Sequence, residues 1–421
     1  MLENSEDPNE MLTFDASVMK KNTNVESACD CDHLLNSLRF WGVNKFCEGI
    51  AAFVLKCPSA ENDAVLSKYE DQFPYGHALR RIKKNYGKKT KFKGQLCDAI
   101  EAGCVEVVEY LLRGKSGLPP VDACRLATSA GHASILAYVH QRGYPVSNDL
   151  ACVAVQQGHI DCLYYLHMQG IGLADNFLSK AANLGHLICL QYLHHHGCMW
   201  NRHVCFYAAQ GGHLDCLQYA HENGCPWQAD TCSGAARNGH LNCLQYAHEN
   251  GCNWNTNTAH AAAESGSVPC LQYTVENGCI ANADTCVCAA KRGCLDCLEY
   301  LHVIECPWDE RTCEVAAENG HIECLKYAHD QGCPWDAGTC TAAASGGHIE
   351  CLRYAHRNGC PWNENTCTAA ALGGHLNCLQ YAYDKSCKWG KDTHAAAVYA
   401  AMCIDDRRCL SFVRAKGCPK R

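Results

Sequence analysis

Thr312–Gly346 reads TCEVAAENGHIECLKYAHDQGCPWDAGTCTAAASG, and one full copy of a unit starts inside it at Gly320 and begins again at Gly347. Glycines recur at Gly131, Gly158, Gly185, Gly212, Gly239, Gly266, Gly293, Gly320, Gly347 and Gly374, every step being 27 residues. A fixed period of this size marks a solenoid or a propeller. The pattern inside the unit decides between them. Cys313, Ala316 and Ala317 fall at i, i+3 and i+4, and Ile322, Leu325 and Ala328 repeat that helical spacing after His321. No period-2 alternation is sustained, which argues against strands and a propeller. The spacing predicts two short antiparallel helices per unit and an all-α solenoid of stacked pairs. Thr312 is placed to cap the first helix with its hydroxyl. Gly320 breaks the chain between the helices, Gly332 ends the second, and Pro334 cannot continue it. Helices this short are not stable alone in water, so neighbouring units must stack.

The run AAENGHIECLKYAHDQG resembles the helix–turn–helix part of an ankyrin repeat, with an AAxxGH core, a second amphipathic helix and a glycine. The resemblance covers roughly Gln95 to Pro419. It departs in length, since the usual unit has about 33 residues and a β-turn finger. Here only GCPWDAGT separates Gly332 from the next helix, so the finger is expected to be cut to a tight loop. The usual TPLH opening is replaced by TC. The resemblance implies protein recognition on an extended concave surface.

The 421 residues carry a formal charge of −8, which argues against a nucleic-acid-binding protein. The start, MLENSEDPNEMLTF, lacks a basic and then apolar leader, and no apolar run reaches about 18 residues. The expectation is an intracellular, cytoplasmic monomer that does not insert into membranes. Residues 1–31 are polar and acidic and read as disordered. Residues 32–95 read as a helical N-terminal region, and 96–421 as the repeat array with a C-terminal cap beyond Ala401. HLLNSLRFWGVNKFCEGIAAFVLK is faintly similar to the rear helices of a BTB/POZ-like domain, without that fold's strands; a helical cap on the array is the plainer reading. Eight basic residues between Arg80 and Lys93 read as a solvated linker or, alternatively, a nuclear-import signal. Units are divergent before Gly185. The unit from Gly266 carries Ser267 for the histidine, Pro269, and Ile280-Ala281 for Pro-Trp; the unit from Gly293 carries Glu305 for the terminal glycine.

Cysteine is abundant, 36 in all, at three positions per unit such as Cys324, Cys333 and Cys340. Without a secretory leader, reduced thiols are expected. Equivalent cysteines of successive units should lie a helix-packing distance apart, roughly 8–10 Å, beyond the about 7 Å that a disulfide tolerates between Cα atoms. They read as small buried hydrophobes. His213, Cys216, His221 and Cys225 have the residue types of a zinc knuckle. Cys216 and His221, five residues apart on one helix, point about 140° apart and cannot converge. No cofactor or metal is therefore assigned. The GH histidines are expected to bond backbone groups at the inter-helix turn and to make the fold acid-sensitive. The periodic tryptophans, Trp200 to Trp389, read as core packing between repeats. No Walker loop, GxSxG or HExxH is present, so no catalytic residue is assigned and the chain reads as a non-enzyme.

The first functional reading is a protein-interaction scaffold, with binding residues in the variable slots ahead of each Thr-Cys. These are Gln228-Ala229-Asp230, Asn255-Thr256-Asn257, Asp309-Glu310-Arg311, Asp336-Ala337-Gly338 and Asn363-Glu364-Asn365. The alternatives are a substrate-recognition adaptor of a ubiquitin-ligase-type complex and a Cys/His-rich metal-binding protein.

Overall fold

Each repeat begins with a run of small residues, such as ERTCEVAAE, bounded by a short polar residue on one side and a glycine turn on the other. Small side chains let such helices approach closely, while Leu-rich second segments such as IECLKYAHD fill the space behind them. In the computed structural model these become the helices Glu310–Glu318 and Ile322–Asp330. The structure describes residues 92–103, 105, 108, 109, 112, 122–403 and 407–419. The acidic leader, nearly all of the helical N-terminal region with its BTB-like stretch, and most of the basic run lie outside the described residues.

The chain divides into two units, residues 1–172 and 173–421. In the first, the helix Phe92–Glu101 is followed by the pairs Ala123–Ser129 with Ala133–Gln141 and Asn148–Gln157 with Ile160–Met168. In the second, helix pairs run without a break in register from Asn176–Leu184 with Leu187–His195 to Thr393–Cys403 with Arg408–Ala415. Every described element is a helix, and each unit is a stack of helix–turn–helix pairs. Six residues, Gln331 to Asp336, join Asp330 to the next helix at Ala337, with no strand among them. The finger is a tight loop.

Within the second unit, successive first helices pack more closely than successive second helices, as their Ala and Cys faces allow. Cys313, Ala316, Ala317, Leu325 and Ala328 are fully buried, and Cys324 nearly so. A buried leucine contributes about 1.5–3 kcal/mol, whereas ordering each residue costs roughly 1–2 kcal/mol. One pair cannot stand alone on such a balance, and stacking is what makes it hold.

Gly320 has φ +77°, and an added Cβ there would lie 2.4 Å from Nδ1 of His348 in the next repeat. The glycine is thus required twice, for its left-handed backbone and as the floor under an imidazole ring. The same ring-on-glycine arrangement joins Gly293 to His321 and Gly347 to His375. His321 donates from Nε2 to the Lys291 carbonyl at 3.1 Å. The expected backbone bonding of the GH histidines is therefore present.

Two sequence expectations are corrected. Thr312 does not cap its helix. The cap is Asp309, whose carboxylate accepts from the Arg311 N–H at 3.1 Å. Thr312 sits inside the first turn, and its buried hydroxyl has no hydrogen-bond partner among the described residues. Its short side chain simply fits where two first helices meet. The tryptophans are not core residues either. Trp227, Trp254, Trp335 and Trp362 are half-buried, lying over the array rather than within it. An indole is too large for an interface built from alanine and cysteine.

Candidate partner-binding surface

The variable slots turn out to be the N-terminal turns of the first helices. Asn255 accepts from the Asn257 N–H at 3.0 Å, Asp336 from the Gly338 N–H at 2.8 Å, and Asn363 from the Asn365 N–H at 2.9 Å. The first residue of these slots is therefore a helix cap, which explains why it is Asn or Asp. Residues just past the caps face outward: Asn257, Glu310, Arg311, Glu364 and Asn365 are exposed. Gln228 is the exception, for its side chain accepts from Arg202 Nη1 at 3.3 Å and makes no cap. Ala229 and Asp230 are half-buried, as are Ala337 and Gly338. The five slots thus form one column along the second unit, in which caps and outward residues alternate.

Charge along this column is mostly negative and partly spoken for. Arg311 pairs with Asp309 and, across the repeat boundary, with Asp284, each at 2.7 Å. Exposed pairs like these contribute little to stability. Glu314 lies over the start of the next helix beside Asp336. Burial first, and then the Asp336 carboxylate, raise its pKa above the ordinary carboxylate value.

A second column runs beside the slots, since each tryptophan directly precedes a slot residue. His221, at the end of one second helix, stacks on Trp227 with ring centroids 3.7 Å apart. Its Nδ1 shares a hydrogen bond with the Tyr246 hydroxyl of the next repeat at 3.0 Å, and Trp227 meets Tyr246 edge-on at 6.2 Å. The motif repeats at His248–Trp254–Tyr273, His302–Trp308–Tyr327 and His356–Trp362–Tyr381. At His329 the stack on Trp335 persists, but Tyr354 donates to Asp330 instead. Burial lowers the pKa of His194, helped by His195, and of His356, helped by Lys385 and Arg357.

Helical periodicity alone does not disclose this ladder. A signal was present: Val275 and Ala281 replace histidine and tryptophan together in the same unit. Two residues lost jointly, six apart, point to one contact.

The zinc-knuckle run is scattered. His213 rests on Gly185, His221 belongs to the ladder, and Cys225 bonds Cys205 and the Asn201 carbonyl. Among the described residues no group of three or more His, Cys, Asp or Glu side chains is arranged to hold a metal ion.

Stacked helix pairs, left-handed glycines, rings on glycine floors and a column of variable turns define an α-helical repeat protein. The family model for ankyrin repeats, in three copies, matches residues 232–307. Because the same 27-residue register continues beyond that match on both sides, the chain is a member of the ankyrin-repeat family. The crystal structure of the human ASB11 ankyrin repeat domain is similar at 20% identity, covering 37% of this chain and 84% of that one, with a TM-score of 0.33. That likeness is too loose to bear on partners. No curated protein matches the chain. Ankyrin repeats generally mediate protein–protein interaction, and proteins built of them are typically binding scaffolds. Among the described residues no helix is long and apolar enough to cross a membrane.

Proposed function

We propose that this chain is a non-enzymatic scaffold that binds a partner protein through the slot column and the aromatic ladder beside it. One observation carries the reading. The cap, the glycines and the buried positions repeat, while the residues directly after each cap differ from unit to unit and are the ones turned outward: Asn257, Glu310, Arg311, Glu364 and Asn365. A frame that repeats beneath side chains that vary suits recognition, because changing the outward residues leaves the stack intact. The half-buried tryptophans next to them supply rigid contact area of the kind that dominates interface energetics. In this reading the chain acts as a monomer inside the cell, in the cytoplasm or, through residues 80–93, the nucleus. Its partner surface is polar or basic, given the carboxylates at Asp309, Glu310, Asp336 and Glu364.

The test replaces Glu310, Arg311, Glu364 and Asn365 by serine in the full chain, leaving every cap in place. Native-cell crosslinking is then compared with the parent protein. The variant should keep its helical content and melting temperature and lose the crosslinked partner set. An unchanged partner set from the folded variant overturns the surface assignment.

A further inference from the structure

Two of the three cysteines in each repeat are not isolated. In six repeats the first-helix thiol and the thiol of the loop that closes the same repeat, 20 residues later, hydrogen-bond one another. The pairs are Cys205–Cys225, Cys232–Cys252, Cys286–Cys306, Cys313–Cys333, Cys340–Cys360 and Cys367–Cys387. Backbone contacts fix both sulfurs at the same place. Cys205 Sγ lies 3.8 Å from the Cys225 carbonyl, and Cys232 Sγ 3.7 Å from that of Cys252. The loop thiols are held from the other side by the carbonyl that opens the repeat, Cys252 to Gln228 and Cys360 to Asp336, both at 3.1 Å. Sulfurs already in hydrogen-bond contact need to close by only about 2 Å to reach a covalent S–S length.

We propose that these six pairs are oxidation sites that close to intra-repeat disulfides when the protein meets a peroxide. The loop cysteine is the attacking sulfur. Cys225 and Cys360 are 3% and 4% exposed, whereas Cys205 and Cys340 are fully buried, so a small oxidant arrives from the loop side. In five pairs the hydrogen bond from the helix thiol holds the loop thiol below its ordinary range, against the burial that would raise it. In the sixth, Cys333 is itself pushed up by its bond to Cys313 and by burial, so that pair should close last.

The loop thiolate attacks one peroxide oxygen. An S–O bond forms, the O–O bond breaks, and the departing hydroxide takes up a proton as water. The helix thiol loses its proton and attacks the resulting sulfenic sulfur. The S–S bond forms and the S–O bond breaks, releasing a second water. Two thiols and one peroxide thus give one disulfide and two waters. Second-helix cysteines are outside the scheme. Cys216 and Cys243 are pushed up to about 12, chiefly by burial, and should stay thiols. Two repeats are internal controls, because Leu178 faces Cys198 and Ala259 faces Cys279 in the same pattern.

The experiment uses the full chain with the exposed Cys403 replaced (Cys403→Ser), treated with hydrogen peroxide, alkylated under denaturing conditions and digested without reductant. Linked peptides joining residues 20 apart in the six named repeats are expected, each with a loss of two hydrogens, while Cys198, Cys279, Cys216 and Cys243 are recovered alkylated. A Cys340→Ser variant should lose only the 340–360 link and leave Cys360 trapped by a sulfenic-acid reagent. Links scattered over other partners, or loop thiols left reduced while Cys216 is oxidised, overturn the proposal.

Discussion

At the scale of single residues, the repeat separates positions that the chain cannot change from those it can. Most terminal glycines adopt φ near +80°, but Glu305 takes φ +56° in the one unit that has lost its glycine. A side chain there costs about 1 kcal/mol or more relative to glycine. Glu305→Gly should therefore raise stability by about 1 kcal/mol, read as a higher urea midpoint with an unchanged slope. A lower midpoint would show that Glu305 makes contacts outweighing its strain. The cap residues have the opposite expectation. Asp336→Ala removes the acceptor for the Gly338 N–H and should cost about 1 kcal/mol, whereas Asn365→Ala, one turn outward in another slot, should change stability little. Equal losses would mean the caps are no more structural than their neighbours.

At the scale of the helix pair, the fold was legible because its two periods are independent signals. Positions such as Ala316, Ala317 and Leu325 gave the helices, and the 27-residue step gave the stack. The cap was misplaced by three residues for a physical reason. Thr312 and Asp309 both have side-chain oxygens suited to capping, and only packing shows that the threonine must be buried. The tryptophans were misread because burial does not follow from hydrophobicity when neighbours are as small as alanine. The thiol pairs were hidden since comparing equivalent positions looks 27 residues along, and the contact is at 20. The histidines, by contrast, were correctly read as structural, and their protonation has a direction. Burial lowers the pKa of His240 and His348, with neighbouring histidines adding to it, as it does for His194 and His356. The folded state thus favours the neutral ring. The stabilisation this represents is complete above the ordinary value of 6.5 and is lost as pH falls through that value toward the lower folded ones. Melting temperature should fall steadily between pH 7 and pH 5. A flat profile over that window would mean the rings are as easily protonated in the fold as out of it.

At the scale of the whole molecule, stability is distributed over nearest-neighbour contacts rather than concentrated in one core. The two units are each self-consistent stacks, and the candidate surface lies within the second. There the joint between repeats is a ring seated on a glycine, and nearly every joint is the same. Removing residues 321–347 would bring His348 over Gly293 in place of His321 and leave an equivalent seam. Two joints differ: Ser267 sits over Gly239, and Cys294 over Gly266. The array can therefore be lengthened or shortened in whole steps away from that region, like a text with interchangeable lines. The two odd seams act as a bookmark, giving an otherwise uniform chain a fixed place from which its other repeats are counted.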